Sequence, residues 1–395
     1  MMEKVFADRM SLLGTETAFE VLAKAKALEA QGKDVVHLEI GEPDFDTPRN
    51  IIDAGCKALT GGFTHYTPAP GMPAVRETIA QYIQQYKNVD AAAEEVVIVP
   101  GGKPIMFFSI MATVNPGDEV IYPNPGFPIY ESVIKFVGAK PVPIPLREEN
   151  GFRLDVKELA GLISPKTKML IINSPGNPTG GVLTHEDVQA IADLVRGKGI
   201  LVLSDEIYDR IIYSDQKPLS IASLPGMKDW TIILDGFSKT YAMTGWRLGY
   251  GVMHPEIAAR IGQLMVNSNS CTAAFTQLAG QEALTGPQDE VERMVAEFKT
   301  RRDIIVNGLN AIPGVSCLSP EGSFYVFPNV KSFGKTCKEL GEYLLNEAGV
   351  ACLGGTAFGS YGEGYLRFSY ANSVPNIEKA LNRLDSALGK LRNNK

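Results

Sequence analysis

Short apolar runs recur through the middle of the chain, at 96–99, 119–122, 168–172, 200–203 and 231–234. Aliphatic and β-branched residues dominate each run, with little polar alternation, and each ends in Gly, Pro, Asn, Ser or Asp. Runs of this kind predict strands buried on both faces. Helical spacing separates most of them. Over Met72–Tyr86, the residues Val75, Ile79, Tyr82, Ile83 and Tyr86 share one helix face. Thr184 opens another helix as its N-cap, with Asp187 at the capping-box position. Buried strands alternating with helices predict an α/β fold, with a large domain whose mainly parallel sheet is sandwiched by helices. The last hundred residues read differently. Two long helical patterns cover about 255–310, short strands follow at 324–327 and 365–368, and a closing helix starts near 375. These predict a smaller α+β domain. No internal repeat, low-complexity tract or structureless linker interrupts the pattern.

Composition narrows the class. The 395 residues are 45% hydrophobic and 21% charged, as in an ordinary globular enzyme. The net charge is −7, with no run of Lys or Arg, which argues against nucleic acid or an anionic membrane as partner. The N-terminus lacks the apolar core of a signal peptide, and no apolar stretch reaches membrane-spanning length. Five scattered cysteines without CxxC spacing read as reduced thiols, so a cytoplasmic location is expected. The four histidines make no ligand pattern, and no catalytic metal is expected.

The chemistry centres on Lys239. It lies just past the apolar run 231–234, at the sheet edge where open α/β folds bind ligands. A lysine amine can form a Schiff base with an aldehyde. Arg247, eight residues on in a glycine-containing turn, can take a phosphate bidentately. Taken alone, a lysine after a strand is more often a surface residue.

Five further signals fall at strand ends or in the smaller unit. Pro100-Gly101-Gly102-Lys103 follows the run 96–99 and opens a helix, where backbone N–H groups can point at an anion. Its spacing is not that of a Walker loop, and a plain strand-to-helix turn is as good an explanation. Phe127, in a proline-rich loop after 119–122, can stack on a flat ring or simply pack in the core. Asn177, in Asn173-Ser174-Pro175-Gly176-Asn177-Pro178-Thr179-Gly180-Gly181, can donate to a phenolate oxygen, though a surface turn explains the prolines and glycines equally well. Asp205 is the first carboxylate after the run 200–203, and either pairs with a protonated pyridine nitrogen or caps a helix; Tyr208 lies three residues beyond. Arg367 sits inside a short apolar strand, where its guanidinium needs an anion: a substrate carboxylate or a structural partner.

In this order, the motifs Gly41-Glu42-Pro43-Asp44-Phe45-Asp46-Thr47-Pro48, Tyr66 before Gly71-Met72-Pro73, Asn177-Pro178-Thr179-Gly180, Ser204-Asp205-Glu206-Ile207-Tyr208, Ser238-Lys239 with Arg247, and Arg367-Phe368-Ser369-Tyr370 carry a resemblance. The chain resembles the class I aminotransferases, pyridoxal-phosphate enzymes of fold type I, and most of all their bacterial and archaeal aspartate and aromatic subgroup. The resemblance runs from about Ala18 to Leu388. It implies a large cofactor-binding domain at 48–290 and a small domain made of 1–47 with 291–395. It implies that Lys239 carries the cofactor, Asp205 holds the ring nitrogen, Asn177 and Tyr208 meet the ring oxygen, and Phe127 stacks. Gly102, Lys103, Ser238 and Arg247 would surround the phosphate. Arg367, with Asn177 and the Gly41 backbone, would bind the substrate carboxylate. Tyr66 would reach the phosphate of a neighbouring subunit, in a homodimer with shared active sites. Two positions depart from the pattern. Gly236 stands where many relatives have a serine, which removes one phosphate hydroxyl and leaves open whether Ser238 replaces it. Phe127 stands where many have Trp or Tyr.

The activity implied is ping-pong transfer of an amino group from an L-amino acid to a 2-oxo acid, with Lys239 moving the Cα proton. Lys103 makes aspartate and glutamate expected donors and 2-oxoglutarate an expected acceptor, with neutral or aromatic amino acids accepted too. Lys103 serving only the phosphate is the competing reading. A β-eliminating lyase of the same fold uses the same lysine, aspartate and arginine. A non-catalytic effector-binding module of aminotransferase type is disfavoured, because only about forty residues precede Gly41 and they show no basic helix-turn-helix pattern. A dinucleotide-binding enzyme would need GxGxxG, which Gly101-Gly102-Lys103 does not supply.

Overall fold

The computed structural model describes residues 5–215 and 217–393; residues 1–4 of the expected N-terminal arm and 394–395 of the expected small domain lie outside them. Helix α1 (Thr17–Glu29) and strand β1 (Val36–His37) lead to α2 (Arg49–Thr60) and α3 (Pro73–Lys87). Strands β2 (Val96–Val99), β3 (Glu119–Asn124), β4 (Lys140–Pro145), β5 (Thr167–Asn173) and β6 (Leu201–Asp205) follow. They are joined in turn by α4 (Lys103–Thr113), α5 (Ile129–Phe136), α6 (Val156–Leu162) and α7 (His185–Val195). Then come β7 (Thr231–Gly236), β8 (Gly249–Val252), α8 (Pro255–Ser268), α9 (Ala274–Thr285) and α10 (Asp289–Ala311). The chain closes with β9 (Tyr325–Val326), α11 (Cys337–Tyr343), β10 (Val350–Ala351), β11 (Leu353–Gly354), β12 (Leu366–Ser369) and α12 (Val374–Asn393).

Strands β2 to β8 form one sheet in the order β2-β8-β7-β6-β5-β3-β4. Only β8 runs antiparallel to its neighbours. Successive side chains pass to opposite faces. Val97, Val99, Leu203, Ile232 and Leu234 pack against Ile105 and Ile110 of α4 and Met265 of α8. Val96, Ile98, Ile233 and Tyr250 pack against Ile79 of α3 and Ala279 of α9. A sheet covered in this way has no solvent face, which is why its strands read as continuous apolar runs. Burying each such aliphatic side chain contributes about 1.5–3 kcal/mol.

Two strands and one helix break escape the pattern. β4 is Lys-Pro-Val-Pro-Ile-Pro at the sheet edge, where proline costs no ladder bond. β8 carries Gly249 and Gly251. A Cβ at Gly249 would lie 2.6 Å from the Gly102 nitrogen, so close passage past the start of α4 demands glycine there. The two helices expected over about 255–310 are three. The first break contains Ser270 at φ 64°, and Gly286-Pro287 ends α9 because proline cannot donate to a continuing helix. The capping box of Thr184 and Asp187 forms as expected.

The remaining strands make two small sheets: β11-β12-β9, antiparallel, and β1-β10, parallel. Phe298 of α10, Phe324, Phe368, Tyr370 and Leu384 of α12 share their core. Among the described residues, no helix is long and apolar enough to cross a membrane.

Candidate active site

The C-terminal ends of the parallel strands deliver the polar residues to one edge. Asn173 pairs with Asp205 across β5 and β6, and Asp205 with Leu234 across β6 and β7. A cavity of about 820 Å³ opens there, bounded on its far side by Arg367 of β12 and residues of α1. It brings together Gly41, Gly102, Lys103, Phe127, Asn177, Asp205, Tyr208, Ser238, Lys239, Arg247 and Arg367. Tyr66 alone of the expected site residues does not line it; that side chain is 89% exposed.

Lys239 points into the cavity and donates from Nζ to the Gly41 carbonyl at 2.5 Å. Burial lowers its pKa to about 8, with Arg367 and Lys103 adding to the fall and Glu42 and Glu16 opposing it. Asp205 is 7% exposed. Its Oδ2 accepts from the Tyr130 hydroxyl at 2.5 Å and its Oδ1 from the Ile207 backbone N–H at 3.3 Å. Burial raises its pKa to about 6, against the lowering effect of those two hydrogen bonds. A buried carboxylate so placed favours a cationic partner.

Arg367 is 4% exposed. Its guanidinium carbon lies 4.5 Å from the centre of the Tyr325 ring and 4.9 Å from that of Phe358. Nη1 donates to Asn177 Oδ1 at 3.2 Å, Nη2 donates to the Glu39 carbonyl, and Nε has no partner. The Asn177 amide is itself set by its backbone N–H, which donates to Asn173 Oδ1 at 2.9 Å. Tyr208 and Tyr325 hydroxyls meet at 2.9 Å. A Cβ at Gly41 would collide with the Tyr325 hydroxyl, so glycine there leaves that hydroxyl its place.

At the other end, Gly101 (φ 80°) lies against the Arg247 guanidinium, where any Cβ would clash. Arg247 Nη1 donates to the Thr244 carbonyl at 2.9 Å. With the first backbone N–H groups of α4 and Ser238, this is a cradle whose donors suit a phosphate. Gly236 has a steric reason. A Cβ there would sit 3.0 Å from Gly249 Cα and 3.3 Å from the Leu248 carbonyl, because β7 and β8 pair closely at that point. The Phe127 ring is edge-on to Tyr130 at 5.6 Å, and Lys103 Nζ stands 5.6 Å above it. The Lys103 ammonium pairs with the Glu16 carboxylate.

Three contributors escaped the sequence reading: Tyr130, Asn173 and Tyr325. Asn173 ends β5 inside a motif already singled out, and Tyr130 opens α5 just after the Phe127 loop, so their places beside those motifs were the available signal. Tyr325 gave none, since only the fold brings β9 to β6. A fourth feature lies beneath the site. Lys87, 7% exposed, meets Glu206 at 2.8 Å, Asp235 at 3.2 Å and Asp209. These carboxylates follow β6 and end β7, beside Asp205 and Lys239 in the chain. Burial pushes Asp209 and Asp235 above the usual carboxylate range, with Lys87 acting against it.

The aminotransferase class I and II family profile matches residues 33–384. The chain is 41% identical over 384 residues to an aspartate aminotransferase of Pyrococcus horikoshii, covering 97% of each. It is 37% identical over 385 residues to aromatic-amino-acid aminotransferase 2 of Thermococcus litoralis, covering 97% of this chain and 98% of that one. The solved structure of Thermus thermophilus aspartate aminotransferase with maleate superposes with a TM-score of 0.93 at 34% identity, covering 97% and 99% of the two chains. The chain therefore belongs to the class I and II aminotransferases, as a fold type I, pyridoxal-phosphate-dependent transaminase of amino acids.

Proposed function

We propose that the donor is an acidic L-amino acid, with 2-oxoglutarate as a good acceptor and neutral amino acids as slower donors. The observation that carries the carboxylate site is Arg367. Its guanidinium is buried, its hydrogen bonds go to neutral oxygens, and its Nε is unpartnered. A buried guanidinium without an anion is costly, so the cavity is built to receive a carboxylate. Lys103 supports the acidic preference, because a carboxylate already stands against its ammonium, that of Glu16. A substrate's distal carboxylate can take that place.

Pyridoxal phosphate supplies an aldehyde and an electron-withdrawing pyridinium ring. Lys239 would hold the aldehyde end and Asp205 the protonated ring nitrogen. Asn177 and Tyr208 would meet the ring oxygen, Phe127 the ring face, and Gly102, Ser238 and Arg247 the phosphate. Arg367 and Asn177 orient the donor through its α-carboxylate. Lys239 Nζ, with a pKa of about 8, is suited to taking the donor's Cα proton near neutrality. It returns a proton to the same carbon of the 2-oxo acid in the second half-reaction.

Two features support a homodimer with shared sites: Tyr66 stands 89% exposed, and Phe63 and Leu59 beside it are also exposed. The proposed division places 48–290 in the cofactor domain and 1–47 with 291–395 in the small one. Its edges coincide with the N-cap of α2 and the first turn of α10. A cytoplasmic role in amino-acid biosynthesis fits this chemistry. The test is a half-reaction screen of the loaded enzyme with single amino acids. Aspartate and glutamate should convert fastest, and Arg367→Leu should weaken every donor; unchanged donor KM in that variant would refute the carboxylate site.

A further inference from the structure

Beside Arg367 runs a chain of charged contacts that the proton transfer does not use. The Glu39 carbonyl that takes Arg367 Nη2 belongs to a residue whose side chain is fully buried. Glu39 Oε1 lies 2.7 Å from His37 Nδ1, and Glu39 Oε2 has no partner. The other ring nitrogen, Nε2, lies 3.0 Å from Glu29 Oε1 on α1. A carboxylate oxygen stands at each ring nitrogen, an arrangement that favours the doubly protonated, cationic ring. It is the side-chain partner of Glu39 among the described residues, and a buried carboxylate left without it would be an unpaired charge.

The backbone here is strapped to the strand that carries the arginine. The Leu38 carbonyl accepts from the Ser369 backbone N–H at 2.8 Å, and the His37 carbonyl accepts from Asn372 Nδ2 at 2.9 Å. Two residues beyond Glu39, the Gly41 carbonyl takes Lys239 Nζ. Segment 37–41 thus sets the direction of both the arginine and the lysine, and a charged triad fixes its start.

We infer that His37 is a positioning residue for substrate binding: clamped between Glu29 and Glu39, it fixes the Glu39 carbonyl that aims the Arg367 guanidinium into the cavity. This rests on the reading of Arg367 as the carboxylate-binding arginine. The groups that face the triad are Lys26, which donates to Glu29 Oε2 at 2.8 Å, and, near Glu39, Arg367 and Cys352. Burial opposes charge on the His37 ring, but the two carboxylates outweigh it and hold its pKa above the ordinary histidine value. Burial pushes the Cys352 thiol upward, so it stays neutral. The ring keeps its charge below its raised pKa and loses it as pH rises through that value.

The test is donor KM, kcat and cofactor retention for the holoenzyme, His37→Gln, Glu29→Gln and Arg367→Leu between pH 6 and 9. The donor's own amine titrates identically in all four and cancels in the comparison. His37→Gln should raise donor KM about tenfold at pH 7, with kcat within about twofold and cofactor retained. Glu29→Gln, which removes only a half-exposed partner, should move the alkaline rise of donor KM to lower pH. If Arg367→Leu raises KM while both triad variants track the wild type, the positioning role is wrong and the carboxylate reading survives. If kcat and cofactor retention fall together with KM in His37→Gln at every pH, His37 is merely structural and the inference is overturned. If Arg367→Leu leaves KM unchanged, both readings fall.

Discussion

The Tyr130 hydroxyl donates to Asp205 Oδ2 at 2.5 Å, tying the first helix after the Phe127 loop to the carboxylate at the end of β6. Burial raises the Asp205 pKa to about 6, and this bond works against the rise. Tyr130→Phe should therefore push it higher. The acid limb of kcat/KM should move to higher pH, with a loss of about tenfold or less at pH 8 and more at pH 6. A pH–rate profile identical to wild type would show that the bond does not tune Asp205.

Asp205→Asn should separate stability from function. The folded-state pKa lies above the unfolded one, so this group's cost is absent below about pH 4 and grows as pH rises toward 6. At pH 7 the cofactor-free variant should be more stable than wild type, by roughly 2–3 kcal/mol at most. Its half-reaction should slow by orders of magnitude, because an amide cannot keep the ring nitrogen protonated. Denaturation of the cofactor-free protein and single-turnover rates check both halves; near-normal rates would reduce Asp205 to a structural role.

Lys87→Met should destabilise the protein by about 3–5 kcal/mol, the cost of leaving buried carboxylates without their cation. Asp209 and Asp235 already have raised pKa values, so acid relieves the repulsion by protonating them. The melting-temperature deficit should be larger at pH 8 than at pH 5.5. A deficit independent of pH would point to lost packing instead.

Lys103→Ser should raise KM for aspartate about tenfold while leaving alanine and phenylalanine within about twofold. Equal loss for all donors, with weaker cofactor retention, would assign Lys103 to the phosphate.

Mixing Tyr66→Phe with Lys239→Ala subunits should restore activity, because one of the two sites in each hybrid carries neither lesion. A fully active monomer in sedimentation would end the shared-site idea.

What the sequence revealed follows from where its residues stand. That Lys239, Asp205 and Asn177 share one cavity was legible because all three follow apolar runs that end at one sheet edge, although each taken alone also had a plain structural explanation. The antiparallel β8 was not, since Gly249 answers to the passage of Gly101 and Gly102 and Gly251 to the Ile105 and Met253 side chains, and neither glycine carries strand propensity. Lys87 was illegible for another reason. It sits on the buried side of an otherwise ordinary amphipathic helix, and its three carboxylates arrive from β6 and β7 only in the folded chain. Tyr66 was readable only by resemblance; it is exposed and lies outside the cavity.

Lys239, aimed into the cavity beside Gly41, is proposed as the residue that holds the cofactor. Borohydride reduction of the loaded enzyme, followed by proteolysis and mass spectrometry, tests it most directly. A single modified peptide carrying the reduced cofactor on Lys239 is the predicted result. Modification of Lys103 or any other lysine, with Lys239 untouched, would contradict it.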